Sequence, residues 1–295
     1  MIKKIKVFFS SHVWKVTFSF KGFVIKWLSV FSVIWMFINF VDHYMKKAKL
    51  PMWDISVWYV LIAGIIIAIW LSRPRLTRTV RLKDKDITIT IKVDDMFRQK
   101  GSVAIIPTNV WFKLDHVPEA SSQVQYKKKF FSNEAEFNSQ LESQLIDKQH
   151  VMSMFNNQPI KEFPIGTVIR IETPTKKMKA AYMVVTAKLN SHGRGIPSHD
   201  DLKQGLAFVW EYISTSGARE PLVIPIMGSG RHRINVNRFE LMHDIVESFL
   251  QAIHHNKFTE ELTLVIHPDS FLRHEYSLDD MEEYLRYMCK FGSMV

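Results

Sequence analysis

Residues 222–233 read Leu-Val-Ile-Pro-Ile-Met-Gly-Ser-Gly-Arg-His-Arg. The unbroken apolar run from Leu222 to Met227 is what a strand covered on both faces requires. It stops at Gly228, Ser229 and Gly230 and meets Arg231 and Arg233. Helical spacing then resumes from Asn235, a candidate cap, to His254. Glycines let a backbone approach a ligand closely, and successive N–H groups can cradle a phosphate. The start of a helix adds a favourable dipole, and Arg231 and Arg233 can pair with phosphate oxygens. The same residues also suit a tight turn with solvated arginines.

Outward from this stretch, strand and helix patterns alternate. Ile87 to Val93 alternates apolar and polar residues, and Ser102 to Pro107 is a short apolar run. Thr167 to Glu172, Ala180 to Lys188 and Leu262 to His267 also read as strands. Residues 134–155, His199 to Ser214 and Leu278 to Met288 read as helices. Such alternation predicts an α/β layer architecture, and its ligands bind at the carboxyl ends of strands. A second strand ends in Ile105-Ile106-Pro107-Thr108-Asn109, where Thr108 and Asn109 suit either a ribose edge or an ordinary turn. His192 to Pro197 is a third glycine-bearing stretch, either a pocket rim or a flexible loop. Lys127, Lys128 and Lys129 read as a solvated or lipid-facing loop.

The N-terminal quarter differs in kind. Residues 23–41 carry Lys26 as their one charge, and residues 55–71 carry none. As helices these runs span roughly 25–28 Å, near the short end of what crosses a bilayer. Trp27, Trp53, Trp58 and Trp70 suit the interfaces, and Val7 to Gly22 suits an amphipathic segment lying on the membrane. No small-x-small cleavage site follows the first run, so residues 1–75 read as a two-helix transmembrane hairpin rather than a signal peptide. Lys and Arg are denser before the first run and after the second than in the connector, placing both termini in the cytoplasm. Gly64 is the one glycine of the second run, so no glycine pair promises a fixed dimer. The soluble part then spans residues 80–295.

The 295 residues carry a net charge of +10, which favours an acidic partner, either anionic lipid or phosphate. A single cysteine, Cys289, excludes an intramolecular disulfide and suits a reducing compartment. No Gly-x-x-x-x-Gly-Lys-Ser/Thr loop and no Gly-x-Ser-x-Gly elbow is present. His243, His254 and His255 lack the spacing of a metal pair, so no metal or cofactor is expected. No aromatic motif accompanies the lysines, so nucleic acid is not expected as a partner.

Val93-Asp94-Asp95-Met96-Phe97, then Val103 to Asn109, then Pro225 to Gly230, in that order and spacing, resemble a macro domain. The resemblance covers roughly residues 86–270 and implies a three-layer α/β/α domain with a mixed sheet. It implies that Asp95, with Asp94 as the fallback, recognises adenine. Asn109, next to Thr108, would lie by the distal ribose, and Gly228, Ser229 and Gly230 would cradle a diphosphate beside Arg231. Macro domains that hydrolyse ADP-ribosyl links place glycines soon after the Asn, whereas Val110 to His116 contains none. That departure favours plain binding over hydrolysis, so no catalytic residue is expected, with a membrane-tethered hydrolase as the alternative. Phe112 or Trp111 would either stack on a ligand ring or pack in the core. Joined to two transmembrane helices, the arrangement resembles the effector of Thoeris-type bacterial anti-phage systems. That implies an inner-membrane protein and an ADP-ribose-derived messenger made by a TIR-domain enzyme. It also implies homo-oligomer assembly on activation and damage to the membrane. A docking scaffold for lipid or protein is the remaining alternative.

Overall fold

The computed structural model describes residues 14, 18–48, 56–73, 75–114, 117–175, 177–190, 192–196, 198–228, 234–274 and 276–291. The chain divides into two compact units, Met1–Arg75 and Leu76–Val295.

In the first unit, α1 (Phe20–Lys47) runs for twenty-eight residues. The Ser19 side chain accepts from the Gly22 N–H at its start, and Lys46 and Lys47 complement the dipole at its end. The helix outruns the apolar segment 23–41 because Asp42 and Lys46 pair at i,i+4, 3.0 Å apart. It is long and apolar enough to cross a membrane, and none of its apolar stretch is buried. The second helix, α2 (Val57–Leu71), has fifteen residues, about 22 Å of rise, which is less than the ~30 Å hydrocarbon core. Val60, Gly64 and Ala68 are its buried stripe, one residue per turn. The Lys26 ammonium donates to the Leu71 carbonyl at 3.3 Å, so the two helices run antiparallel. The stretch expected to lie on the membrane falls mostly outside the described residues, as does the tip of the connector (residues 49–55).

The second unit is built on an eight-stranded mixed sheet among the described residues. Its strands are β1 (Thr77–Leu82), β2 (Ile87–Val93), β3 (Val103–Asn109), β6 (Val168–Glu172), β7 (Ala180–Leu189), β8 (Gly195–Ile196), β9 (Leu222–Pro225) and β10 (Glu261–Ile266), while β4 (Val151–Phe155) and β5 (Gln158–Glu162) form a separate hairpin. The order is β1-β2-β10-β9-β3-β7-β6, with β8 on β7. β2, β10, β9, β3 and β7 are mutually parallel, and β1 and β6 close the edges antiparallel. The central strands β9, β3 and β7 carry unbroken apolar runs, because helices cover both their faces, whereas β2, next to the edge, alternates.

The helices are α3 (Ser122–Phe130), α4 (Glu134–Leu145), α5 (His199–Ser216), α6 (Arg238–His255), α7 (Pro268–Arg273) and α8 (Leu278–Phe291). On one face, Tyr126, Phe130 and Phe137 from α3 and α4 pack with Ala104, Ile106, Met183 and Val185. On the other, α5 lies against Thr186 at Gly205, where a Cβ would come within 2.7 Å of the Thr186 methyl. Trp210 of α5 stacks edge-on with Phe249 of α6, ring centroids 5.3 Å apart. The result is a three-layer α/β/α domain.

Three expectations change. The cap of α6 is Asn237 rather than Asn235: its Oδ1 accepts from the Glu240 N–H at 2.8 Å, so the helix starts at Arg238. Residues 134–155 are not one helix: α4 ends at Leu145, and β4 follows. Asn156 and Asn157 both adopt left-handed backbone, φ 50° and 61°, and make the two-residue turn that folds β5 back on β4. Lys127, Lys128 and Lys129 are the last turn of α3 rather than a loop, where cations complement the helix dipole.

Candidate ligand site at the carboxyl edge

Parallel pairing brings the carboxyl ends of β2, β10, β9 and β3 to one edge of the sheet. Val93 is level with Ile266, and Val265 with Pro225. The Asp94 N–H donates to the Ile266 carbonyl at 3.1 Å, tying the exit of β2 to that of β10. The three motifs singled out by order and spacing therefore lie along a single edge.

The two aspartates differ in their duties. Asp94 is 6% exposed. One of its oxygens accepts from the Asp95 N–H at 2.9 Å and the other from Gln99 Nε2 at 3.3 Å, with Lys92 Nζ 3.7 Å away. Asp95 caps the 3-10 turn Met96–Arg98 by accepting from the Phe97 N–H at 2.9 Å. Its second oxygen takes Lys129 Nζ at 2.8 Å, with Arg98 Nε at 3.7 Å. Asp95 is thus the more accessible carboxylate, and its charge is already paired.

At the end of β3, Thr108 is 4% exposed and its hydroxyl has no hydrogen-bond partner among the described residues. Asn109 donates to the Lys113 carbonyl at 2.9 Å and accepts from the Trp111 N–H at 3.0 Å. Both ends of its amide therefore hold residues 110–113. Trp111 packs its ring on Phe155 at 4.6 Å, and its buried Nε1–H has no acceptor. Phe112 is 1% exposed and meets Phe163 edge-on at 5.4 Å. Between stacking on a ligand and packing in the core, Phe112 does the second. Its left-handed backbone, φ 53°, turns the ring inward.

At the exit of β9, Gly228 has φ +73°, and its carbonyl accepts from the Ile234 N–H at 3.2 Å. Ser229, Gly230 and Arg231 lie outside the described residues. In the third glycine-bearing stretch, Gly195 and Ile196 form β8, and Asn190 Oδ1 accepts from the His192 and Arg194 N–H groups. That stretch is therefore a hairpin extension of β7.

Two neighbours escaped sequence reasoning. Lys129 is the partner of Asp95, thirty-four positions away. Arg238 opens α6, its guanidinium carbon 5.8 Å from the Tyr276 ring centroid. Its Nε and Nη2 are buried with no hydrogen-bond partner among the described residues. In sequence Arg238 falls only within the first turn of the helix expected from Asn235, and that position does not reveal burial.

One turn further into α6, His243 stacks flat on Tyr284, centroids 3.4 Å apart. Burial holds the imidazole below its usual pKa, against the pull of Asp244, Glu247 and Glu240. Burial also pushes the Tyr284 hydroxyl up to about 12. His199 Nε2 lies 2.6 Å from Asp244, which Lys203 also faces at 3.3 Å. Among the described residues no group of His, Cys, Asp and Glu is arranged to hold a metal ion. The edge offers a paired carboxylate, a hydroxyl, an indole N–H and a guanidinium edge, which are groups that bind a polar, anionic molecule.

The family described as Thoeris protein ThsA, Macro domain, matches residues 89–267. Among solved structures, a point mutant of the Oceanobacillus iheyensis macrodomain is similar at 12% identity and a TM-score of 0.48, over 71% of this chain and 100% of that one. The same macrodomain with ADP gives 14% and 0.40, over 73% and 96%. The macro domain of ganglioside induced differentiation associated protein 2 gives 9% and 0.42, over 70% and 86%. No curated protein matches the sequence.

Proposed function

This chain belongs, through residues 89–267, to the macro-domain family of the Thoeris protein ThsA, and from that membership we propose that its carboxyl-edge site binds an ADP-ribose-derived messenger. In this reading the chain is a membrane-anchored effector of bacterial anti-phage defence, and a TIR-domain enzyme supplies the messenger. The observation that carries it is the set of buried, partnerless polar atoms bordering the edge: Thr108 Oγ1, Trp111 Nε1 and Arg238 Nε and Nη2. Each unpaired buried group costs about 1–3 kcal/mol, and a polar ligand removes that cost on binding.

Asp95 takes the adenine, with Asp94 holding the turn behind it. Thr108 and Asn109 border the distal ribose. Gly228, Ser229 and Gly230 cradle the diphosphate with Arg231. Residues 110–116 contain no glycine, which supports binding without hydrolysis. α1 is one membrane span, and α2 with its flanks is the second, leaving both termini cytoplasmic at the inner membrane. The messenger favours an assembled state, since a ligand shifts an equilibrium only through unequal affinity for its two states. Assembly then clusters the hairpins, and a span as short as α2 thins the bilayer around it.

The test is calorimetric titration of the full-length protein in detergent with ADP-ribose and with an amino-acid adduct of it. Asp95→Asn and Gly228→Glu are expected to abolish binding. The particle mass, measured with and without saturating ligand, is expected to rise. A folded protein that binds neither compound sinks the nucleotide reading, and an unchanged mass sinks the assembly step.

A further inference from the structure

We infer that Arg238 is an oxyanion-binding residue of the ligand site, gripping the ligand's diphosphate from the α6 side of the edge. The inference rests on the nucleotide reading above.

Position comes first. β9 leaves the sheet at Pro225, and α6 begins its return at Arg238. Leu241 lies over the exit of β9: a Cβ on Gly228 would sit 3.4 Å from Leu241 Cδ2. Arg238 precedes Leu241 by three residues and so shares its helix face, one turn nearer the edge. On the other side stands the ring of Tyr276, itself 4% exposed and tethered to Ser270 by a 3.1 Å hydroxyl contact. Ser270 belongs to α7, which leaves the end of β10 directly. Arg238 therefore sits between the exits of two adjacent strands, β9 and β10.

Charge comes second. Arg238 brings a positive charge to this position. The other semi-buried arginines are matched: Arg170 to Glu220 at 2.7 Å and Arg78 to Asp279 at 2.6 Å. Arg238 has no carboxylate partner among the described residues, although Glu240 is two positions on. It also stands at the positive end of α6, where the helix dipole disfavours a cation. The ring of Tyr276 gives the guanidinium a cation–π contact, but among the described residues Nε and Nη2 have no hydrogen-bond acceptor, and an oxyanion supplies one while offsetting the helix-dipole penalty. The two partnerless nitrogens, Nε and Nη2, form one edge of the guanidinium fork, the edge that pairs with two oxygens of one phosphate. The oxyanion has two possible sources, the diphosphate or the carboxylate of an amino-acid adduct, and we assign the diphosphate.

The experiment titrates full-length wild type, Arg238→Gln and Arg238→Lys in detergent with ADP-ribose, the amino-acid adduct and adenosine. Arg238→Gln is expected to weaken ADP-ribose and the adduct alike by about 10- to 100-fold, and adenosine by less than about twofold. Arg238→Lys, which keeps the charge and loses the fork, is expected to fall between. The melting temperature of unliganded Arg238→Gln is expected to stay level or rise. Wild-type affinity for ADP-ribose in Arg238→Gln overturns the inference while leaving the nucleotide reading standing. So does an equal loss for adenosine, which would make Arg238 a packing residue, or a loss confined to the adduct, which would assign it to the carboxylate. A wild type that binds none of the three ends the nucleotide reading and the inference together.

Discussion

Gly228→Ala and Gly101→Ala form a matched pair that tests how tightly the exit of β9 is built. Both glycines have nearly the same left-handed backbone, φ +73° and +72°. An alanine at either costs about 1–2 kcal/mol for adopting that conformation. At Gly101 a Cβ meets nothing within 4 Å, whereas at Gly228 it comes within 2.6 Å of Ile234 Cδ1. Ile234 closes the turn by donating to the Gly228 carbonyl. Forcing its side chain off its rotamer adds roughly 0.5–1.5 kcal/mol. At about 2–4 °C per kcal/mol for a domain of this size, Gly228→Ala should melt a few degrees below Gly101→Ala. The ligand readout separates them further. Gly101 precedes β3, at the opposite edge of the sheet, so its variant should bind ADP-ribose as wild type does. Gly228→Ala shifts the exit of β9, where the diphosphate is proposed to sit, and should lose about tenfold, or ~1.4 kcal/mol. Differential scanning fluorimetry and calorimetry on the full-length protein measure both. Equal melting temperatures with equal affinities would refute the steric argument.

Asp95 caps a turn and pairs with Lys129, so Asp95→Ala should cost about 1 kcal/mol of stability, while Asp95→Asn keeps the cap and removes the charge. If both variants melt alike, the capping account is wrong. The depressed His243 pKa sets a pH dependence: the unfolded chain takes up a proton below about pH 6.5, before the folded imidazole does. The stability His243 contributes is therefore complete above that pH and lost as pH falls below it. His243→Phe keeps the stack on Tyr284, so it should flatten the drop in melting temperature between pH 7.5 and 5.5, and an unchanged slope would count against it. For Glu220, burial is the largest single influence and raises the carboxyl pKa, but the hydrogen bonds and charges of Arg170 and Lys179 together outweigh it and the net shift is downward. Its contribution is lost only as pH falls below the usual carboxylate range. Arg170→Met should destabilise the domain by about 1–3 kcal/mol, read as a lower melting temperature at pH 7.

The layer architecture was legible because buried parallel strands and amphipathic helices write themselves into composition. Leu222–Ile224 is an unbroken apolar run, Leu262–Ile266 is one broken only by Thr263, and the apolar residues of α5 and α6 recur at helical spacing. The hairpin was missed because Val151–Phe155 continues the apolar content of α4, and Asn156-Asn157 is a weaker turn signal than Asn-Gly. Candidate site positions were legible wherever a strand ended in polar or glycine residues, as at Asp94, Thr108 and Gly228.

By itself the sequence determined that the α1 segment is apolar enough to cross a membrane, that strands and helices alternate, and which strand ends carry polar or glycine residues. Those depend on local spacing and on how much apolar surface each segment must hide. Tertiary structure alone decided that Asp95 is held by Lys129, that Asn109 is spent on its own loop and that Phe112 belongs to the core. It also decided that Arg238 Nε and Nη2 are buried with no hydrogen-bond partner among the described residues. Each of these is a contact between residues distant in the chain, or a choice of side-chain direction. Local sequence does not encode either, because both are settled by which elements the folded sheet brings together.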